Sequence, residues 1–402
     1  MALKNNYNQT IRACYIGYIS HATINNFAPL LFLTFKSSYH IPIEKITLLV
    51  TVNFGIQLII DFLAAYFADK IGYKPLIVLA HICAASGLVG LGILPQIMPD
   101  PYIGLLTAVV FYAVGGGMIE VLVSPIVEAC PTENKSAAMS LLHSFYCWGH
   151  VFVIIVSTLF FTVFGIGNWR ILALAWAVIP LLNALYFSQV PIAPLTKSGK
   201  SMPIKSLIST KLFWVLMLLM ICSGAAEQAM GQWASAFAEA GLNVTKTAGD
   251  LAGPCMFAVL MGITRVFYSK FSEKINLRMF IIGSGVLCAA GYLLASLSPY
   301  PALSLVGCGM CGLSSGIMWP GIISIASAKC PRGGTALFAL LALGGDLGCS
   351  GGPTVVGMAS GMAGDSLKAG ILAGIIFPLM LIVGLILLSD RIVGQREKET
   401  LN

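Results

Sequence analysis

The sequence predicts an all-α membrane protein: twelve transmembrane helices in two pseudo-symmetric six-helix bundles, with both termini cytoplasmic. Three observations predict it. Of the 402 residues, 57% are hydrophobic and only 10% charged, whereas soluble domains carry about 25% charged residues. The apolar residues form segments long enough to cross hydrocarbon, which takes about 20 residues per helix. Basic residues fall mainly in alternate loops between those segments.

The apolar runs, read against Pro, Gly and charged breaks, give spans over 11–35, 45–68, 75–95, 102–130, 136–164, 169–190, 211–239, 248–269, 278–297, 301–328, 334–361 and 367–389. The widest internal polar gap, 191–210, holds Lys197, Lys200, Lys205 and three prolines. It divides the chain into a first six-helix bundle (1–190), a cytoplasmic linker (191–210) and a second bundle (211–402). With the N-terminus inside, seventeen Lys/Arg lie on the cytoplasmic side and five on the other, with Arg265 inside the eighth span. Such a bias sets orientation. The expected location is therefore a bacterial inner or a plasma membrane, crossed many times.

The net charge of +7 does not indicate nucleic acid, because the basic residues form no dense run. The eleven cysteines lie mostly in apolar segments without the paired spacing of a zinc site, and are read as reduced buried thiols. No metal site or cofactor is expected. No Gly-x-x-x-x-Gly-Lys-Ser/Thr loop is present, so nucleotide-driven chemistry is not expected. No Ser-His-Asp order points to an enzyme.

The two halves resemble each other at an offset of 200 residues. Asp69-Lys70 and Lys74, at the end of the second span, match Ser269-Lys270 and Lys274 at the end of the eighth. Cys130-Pro131 closes the fourth span as Cys330-Pro331 closes the tenth. Duplicated halves of this kind place a solute site between them, near the bilayer midplane.

Ionisable residues deep in the spans are the candidate functional groups, since charge in hydrocarbon is retained for a purpose. At about 1.5 Å of rise per residue, Glu120 lies about 16 Å inside the fourth span. Asp346 is at similar depth in the eleventh span, Glu227 in the seventh, and Asp61 and His143 nearer the cytoplasm. Glu120, Asp61, Glu227 and Asp346 are the candidate proton carriers, because burial favours the neutral form of a carboxyl group. A static salt bridge between helices is the alternative role for each. Polar and aromatic residues cluster around them: His21, Asn25 and Asn26 in the first span, Asn53 and Gln57 in the second, His143 and Trp148 in the fifth, Glu227 and Gln228 in the seventh, Trp319 in the tenth. Amides, a carboxylate and an aromatic ring suit a sugar or another small polar solute. His81 and His150 are read as structural.

Ala65-Tyr-Phe-Ala-Asp69-Lys70-Ile-Gly72-Tyr73-Lys74 resembles the loop signature of the major facilitator superfamily, Gly-x-x-x-Asp-Arg/Lys-x-Gly-x-Arg/Lys, with Ala for the first Gly. The resemblance gives Asp69, Lys70, Gly72 and Lys74, joined by Glu128, a gating role. Gly115-Gly-Gly-Met-Ile-Glu120-Val-Leu-Val-Ser124-Pro125 is similar to the fourth-helix motif of the fucose permease branch, and Leu142-His143-Ser144-Phe145-Tyr-Cys-Trp148-Gly149 to its fifth-helix segment. That branch carries an acid in its first helix within Asn-x-Asn-Asp; this chain reads Ile24-Asn25-Asn26-Phe27 there, with no acid. The resemblance implies proton-coupled symport of a sugar, with Glu120 in recognition and coupling and His143 facing the solute. The partners implied are the solute, the proton and the lipid bilayer, and a monomer is expected. The alternative on the same fold is a drug or metabolite exporter working as a proton antiporter.

Overall fold

Inside a bilayer no water is available to backbone N–H and C=O groups, so each stretch that crosses must satisfy its own. The computed structural model obeys that rule throughout. It describes residues 6–131, 135–193, 204–271, 275–330 and 334–388, and among these there is no strand. The side chains of Asp69, Lys70 and Glu128, and residues 194–203 of the expected linker, lie outside the described residues.

The helices are α1 (Tyr7–Phe27), α2 (Phe32–Tyr39), α3 (Ile43–Ile71), α4 (Tyr73–Ile97), α5 (Pro101–Ala129), α6 (Lys135–Phe164) and α7 (Trp169–Gln189). After the short α8 (Ile204–Ile208) come α9 (Lys211–Gly231), α10 (Ala234–Ala236), α11 (Lys246–Asp250), α12 (Met256–Phe271) and α13 (Leu277–Leu297). The chain ends in α14 (Pro301–Lys329), α15 (Gly334–Met362), α16 (Leu367–Ala373) and α17 (Ile376–Leu387). Ten helical stretches among the described residues are long and apolar enough to cross a membrane. The stretch from Tyr7 to Tyr39 and α15 are further long helical segments. Observed boundaries fall within a few residues of the apolar segments read from the sequence. The largest differences are a Pro-bearing 3₁₀ turn at Ala28–Leu31 and wide π turns at Phe237–Gly241 and Leu251–Cys255.

Local chemistry explains the ends. Asp100 accepts from the Tyr102 amide at 2.9 Å and Pro101 opens α5; Pro301 opens α14, 200 positions later. Asn276 caps α13 through the Met279 amide at 3.1 Å. A cap satisfies a donor that has no partner within the helix. Large apolar side chains such as Leu182, Leu185, Val383 and Ile386 are more than half exposed, as lipid contact requires.

The packing repeats between the halves of the chain. In the first, α4 packs on α5 and α7, α3 on α5, and α1 on α6. In the second, α13 packs on α14 and α17, α12 on α14, and α9 on α15. Close approach depends on small residues: a side chain at Gly115 of α5 would meet the Ala80 carbonyl and Ala84 amide of α4 at 2.5–2.6 Å. The two sets meet mainly through α3 against α15 and α6 against α12.

Between α3 and α4 the chain turns on Gly72, at φ 94° and ψ 144°, a conformation that essentially only glycine adopts. Lys74 follows and donates to the Val190 carbonyl at 3.1 Å, a favourable place for a cation at the end of α7. Gly72→Ala is expected to lower stability by about 1–3 kcal/mol, read as a fall in the melting temperature of the detergent-purified protein, whereas Ala substitution at the neighbouring exposed Ile71 should change it little.

Candidate solute and ion site between the halves

Two polar clusters meet where α1, α3 and α5 face α9, α12 and α15. The first belongs to α1 and α3. Asn25 and His21 are one turn apart, as are Asn53 and Gln57, so each pair shares a helix face. The Asn25 side-chain oxygen accepts from Asn53 at 3.1 Å and from Gln57 at 2.8 Å, and Gln57 also donates to the Asn53 oxygen at 2.9 Å. All four residues are at most 5% exposed.

His21 Nε2 stands at the edge of this network with competing neighbours. The Asn25 amide nitrogen lies 2.9 Å away, the Gln57 oxygen 3.2 Å and the Glu120 carboxylate 3.5 Å. A neutral ring nitrogen accepts or donates, never both. When it accepts from Asn25 it cannot serve Gln57 or Glu120; when it carries a proton it donates towards them. Its Nδ1 is buried without a partner. The imidazole and the Glu120 carboxylate are thus within reach of each other at 3.5 Å.

The second cluster brings together three acids that are far apart in sequence. Ligating oxygens of Asp61 on α3, Glu120 on α5 and Asp346 on α15 all lie within 4.8 Å of one another. Asp61 and Asp346 are buried, and Glu120 keeps 31% of its side chain exposed. Three charges this close repel strongly in a low-dielectric site, so the trio calls for a shared proton or a small hard cation. An all-oxygen set suits either. Asp61 Oδ1 has no hydrogen-bond partner.

On the facing half, Gln228 donates to Glu227 at 3.4 Å, and Gln232 donates to Gln228 at 3.0 Å. Gln232 also crosses to the other half, donating to the Asn25 carbonyl at 3.1 Å. That carbonyl is free because Pro29, four residues on, has no N–H to give it. Arg265 of α12 lies 3.7 Å from Glu227. Its side chain is 21% exposed and close enough to Tyr18, Tyr146 and His143 for electrostatic interaction.

The remaining candidates sit around this centre. Asn26 donates to the Ala22 carbonyl and reaches the Tyr146 hydroxyl at 3.5 Å. His143 lies against Tyr18, ring centres 5.5 Å apart. Trp319 of α14 packs over Gly345, next to Asp346. Trp148 is 46% exposed and lies beside Gly262 of α12, across from its own half. Arg265, Tyr18 and Tyr146 are site members that sequence reasoning passed over. The signal for Arg265 was available, since a guanidinium inside an apolar segment needs a partner. His81 is structural: it bonds the Ile77 carbonyl and Asn183, which joins α4, α7 and α1.

Beyond the acids, towards the end remote from the helix termini at Tyr7 and Gln189, the halves are sealed. Thr51 bonds Thr354, Ser350 donates to the Thr51 carbonyl, and Lys36 pairs with Asp365. Lys246 donates to the Leu30 carbonyl at 2.6 Å and pairs with Asp250 at 3.1 Å. Asp250, 1% exposed, also accepts from Ser235 and from Thr158 of α6.

The superfamily model for the Major Facilitator Superfamily matches residues 14–353. The chain belongs to this superfamily. The fold is therefore that of a membrane transporter and not of an enzyme. Solved structures similar to it include a bacterial homolog of the human lysosomal transporter Spinster in an inward-facing conformation, at 14% identity and TM-score 0.77, covering 96% of this chain and 97% of that one. The D-xylose–proton symporter aligns at 13% identity and TM-score 0.76, over 96% and 98% of the two chains. The fucose:proton symporter of E. coli aligns at 16% and 0.66, over 96% and 100%. No curated protein matches by sequence.

Removing one member of a buried ion pair costs about 3–5 kcal/mol. Lys246→Met should therefore weaken the seal, and spin labels on exposed Ser38 and Ala363 should show a longer, broader distance distribution than in the otherwise native chain.

Proposed function

We propose that the protein is a proton-coupled symporter of a sugar or sugar-like polar solute. In this reading twelve helices form two six-helix bundles, 1–190 and 211–402, joined by a cytoplasmic linker, 191–210. Both termini face the cytoplasm of a cell whose inner or plasma membrane holds the protein, and the protein works as a monomer.

The observation that carries the reading is the meeting of Asp61, Glu120 and Asp346 within 4.8 Å, next to the amide network of Asn25, Asn53 and Gln57. The acids come from both halves, so their protonation bears directly on whether the halves stay together. A proton shared within the trio removes the repulsion and favours the contact of α3 with α15. Its loss restores the repulsion and favours separation. His21, at 3.5 Å from Glu120, passes the proton to and from the site. A ligand or proton that binds one arrangement better shifts the population towards it.

Solute recognition falls to the amides and imidazoles, which offer paired donors and acceptors to hydroxyl groups, with the Trp319 ring against an apolar sugar face. The sealed end corresponds to the outside and the site communicates with the cytoplasm, an inward-facing arrangement. Likeness to the xylose and fucose proton symporters in fold supports the substrate class, and the loop around Gly72 and Lys74, with Asp69, Lys70 and Glu128, supports a cytoplasmic gate.

Uptake into proteoliposomes, over a panel of labelled hexoses, 6-deoxyhexoses and polar metabolites, tests this. An inward proton gradient should drive accumulation of at least one sugar. Glu120→Gln should abolish accumulation while retaining solute exchange, because exchange needs no net proton movement. Gradient-dependent uptake unchanged in Glu120→Gln removes the coupling role, and flux of no sugar with efflux of diverse apolar compounds favours an exporter.

A further inference from the structure

Arg265 is the cation of the central site, and its donors are poorly used. The guanidinium reaches Glu227 only at 3.7 Å, longer than a hydrogen bond, and its other Nη2 neighbour is the Met261 sulfur at 3.8 Å. Its Nε is buried and has no hydrogen-bond partner among the described residues. A guanidinium presents five N–H donors in a planar fork that fits a carboxylate through two parallel bonds. An unpaired donor of this kind inside the membrane is costly unless something binds it. The Arg265 side chain is also 21% exposed, so part of it is open to a solute.

We propose that the solute carries a carboxylate, and that Arg265 takes it through its under-used guanidinium N–H donors while the sugar-like body lies against the amide network and His143. This inference rests on the sugar reading above and narrows it to acidic sugars such as uronates and aldonates. A carboxylate fits better than a phosphate by charge. Arg265 is one cation among Glu227, Glu120, Asp61 and Asp346, so it balances one negative charge and not two.

The same geometry gives Glu227 a part. It is the counter-charge of Arg265 in the empty site, and the incoming carboxylate competes with it. A proton on Glu227 cedes the guanidinium to the solute, which ties solute entry to proton entry. Glu227 faces Arg265 from α12, Glu120 from α5, Tyr146 and Cys147 from α6 and Cys349 from α15. Arg265 is the one permanently charged cation among them.

Isothermal titration of the purified full chain with D-glucuronate and D-gluconate, against D-glucuronamide and D-glucose, tests the inference. The acids should bind at least about tenfold more tightly than their neutral counterparts, the margin expected of one charge-assisted pair. Arg265→Gln should remove that margin and leave glucuronamide binding in place. Glu227→Gln retains Arg265 and frees it, so it should preserve or enlarge the margin; this variant decides the matter where Arg265→Gln does not fold. Equal binding of acid and amide by the native chain, or an acid preference that survives Arg265→Gln, overturns the inference and leaves the sugar reading standing. Binding of none of the four compounds overturns the inference, and the uptake panel above then decides the sugar reading separately.

Discussion

Hydrocarbon gives a polar group nowhere to go except another part of the protein. That constraint makes each spanning segment a helix, since a helix satisfies its own backbone, and it then governs the side chains. Apolar ones coat the outside, where Leu182, Leu185, Val383 and Ile386 stand exposed. Polar ones can be accommodated only between helices. A few breaks in the helices matter for the same reason. Pro29 leaves the Asn25 carbonyl without its helical donor, and the group is satisfied by Gln232 from the other half. The 3₁₀ turn around Pro29 also turns the Leu30 carbonyl towards Lys246. A single proline in the turn after α1 therefore helps to set two of the contacts that hold the halves together.

The charges follow one logic from the centre of the molecule to its sealed end. At the sealed end, opposite charges are matched: Lys246 with Asp250, Lys36 with Asp365. At the centre they are not, because three acids converge and the one nearby guanidinium faces a fourth. Matched pairs hold a state. An excess of like charge makes a state conditional on a proton, a cation or a ligand. The centre is therefore where binding can shift the balance between arrangements of the halves, and the matched pairs set how much free energy that shift must supply.

The site is built with little spare adjustment. Asn25 is shared by Asn53, Gln57 and His21, and its backbone carbonyl by Gln232. Solute bound by these amides would press on the same residue that joins α1 to α9. In the proposed function recognition and closure act on this common group, which is how a small ligand can move large rigid bundles.

Much of this was legible in the sequence. Segment lengths and apolar content fixed the helices to within a few residues, because burial of a helix in lipid demands a continuous apolar run. Depth along each segment picked out Glu120, Asp61 and Asp346, because buried charge is rare. A spacing of four puts His21 with Asn25 and Asn53 with Gln57 on shared faces. Only the tertiary structure could decide that the three acids converge, because residues 61, 120 and 346 are related by no local spacing, and helix rotation determines whether each points to lipid, to a neighbour or to the cavity. It also decided that Arg265, a single basic residue in an apolar run, faces Glu227 at the centre.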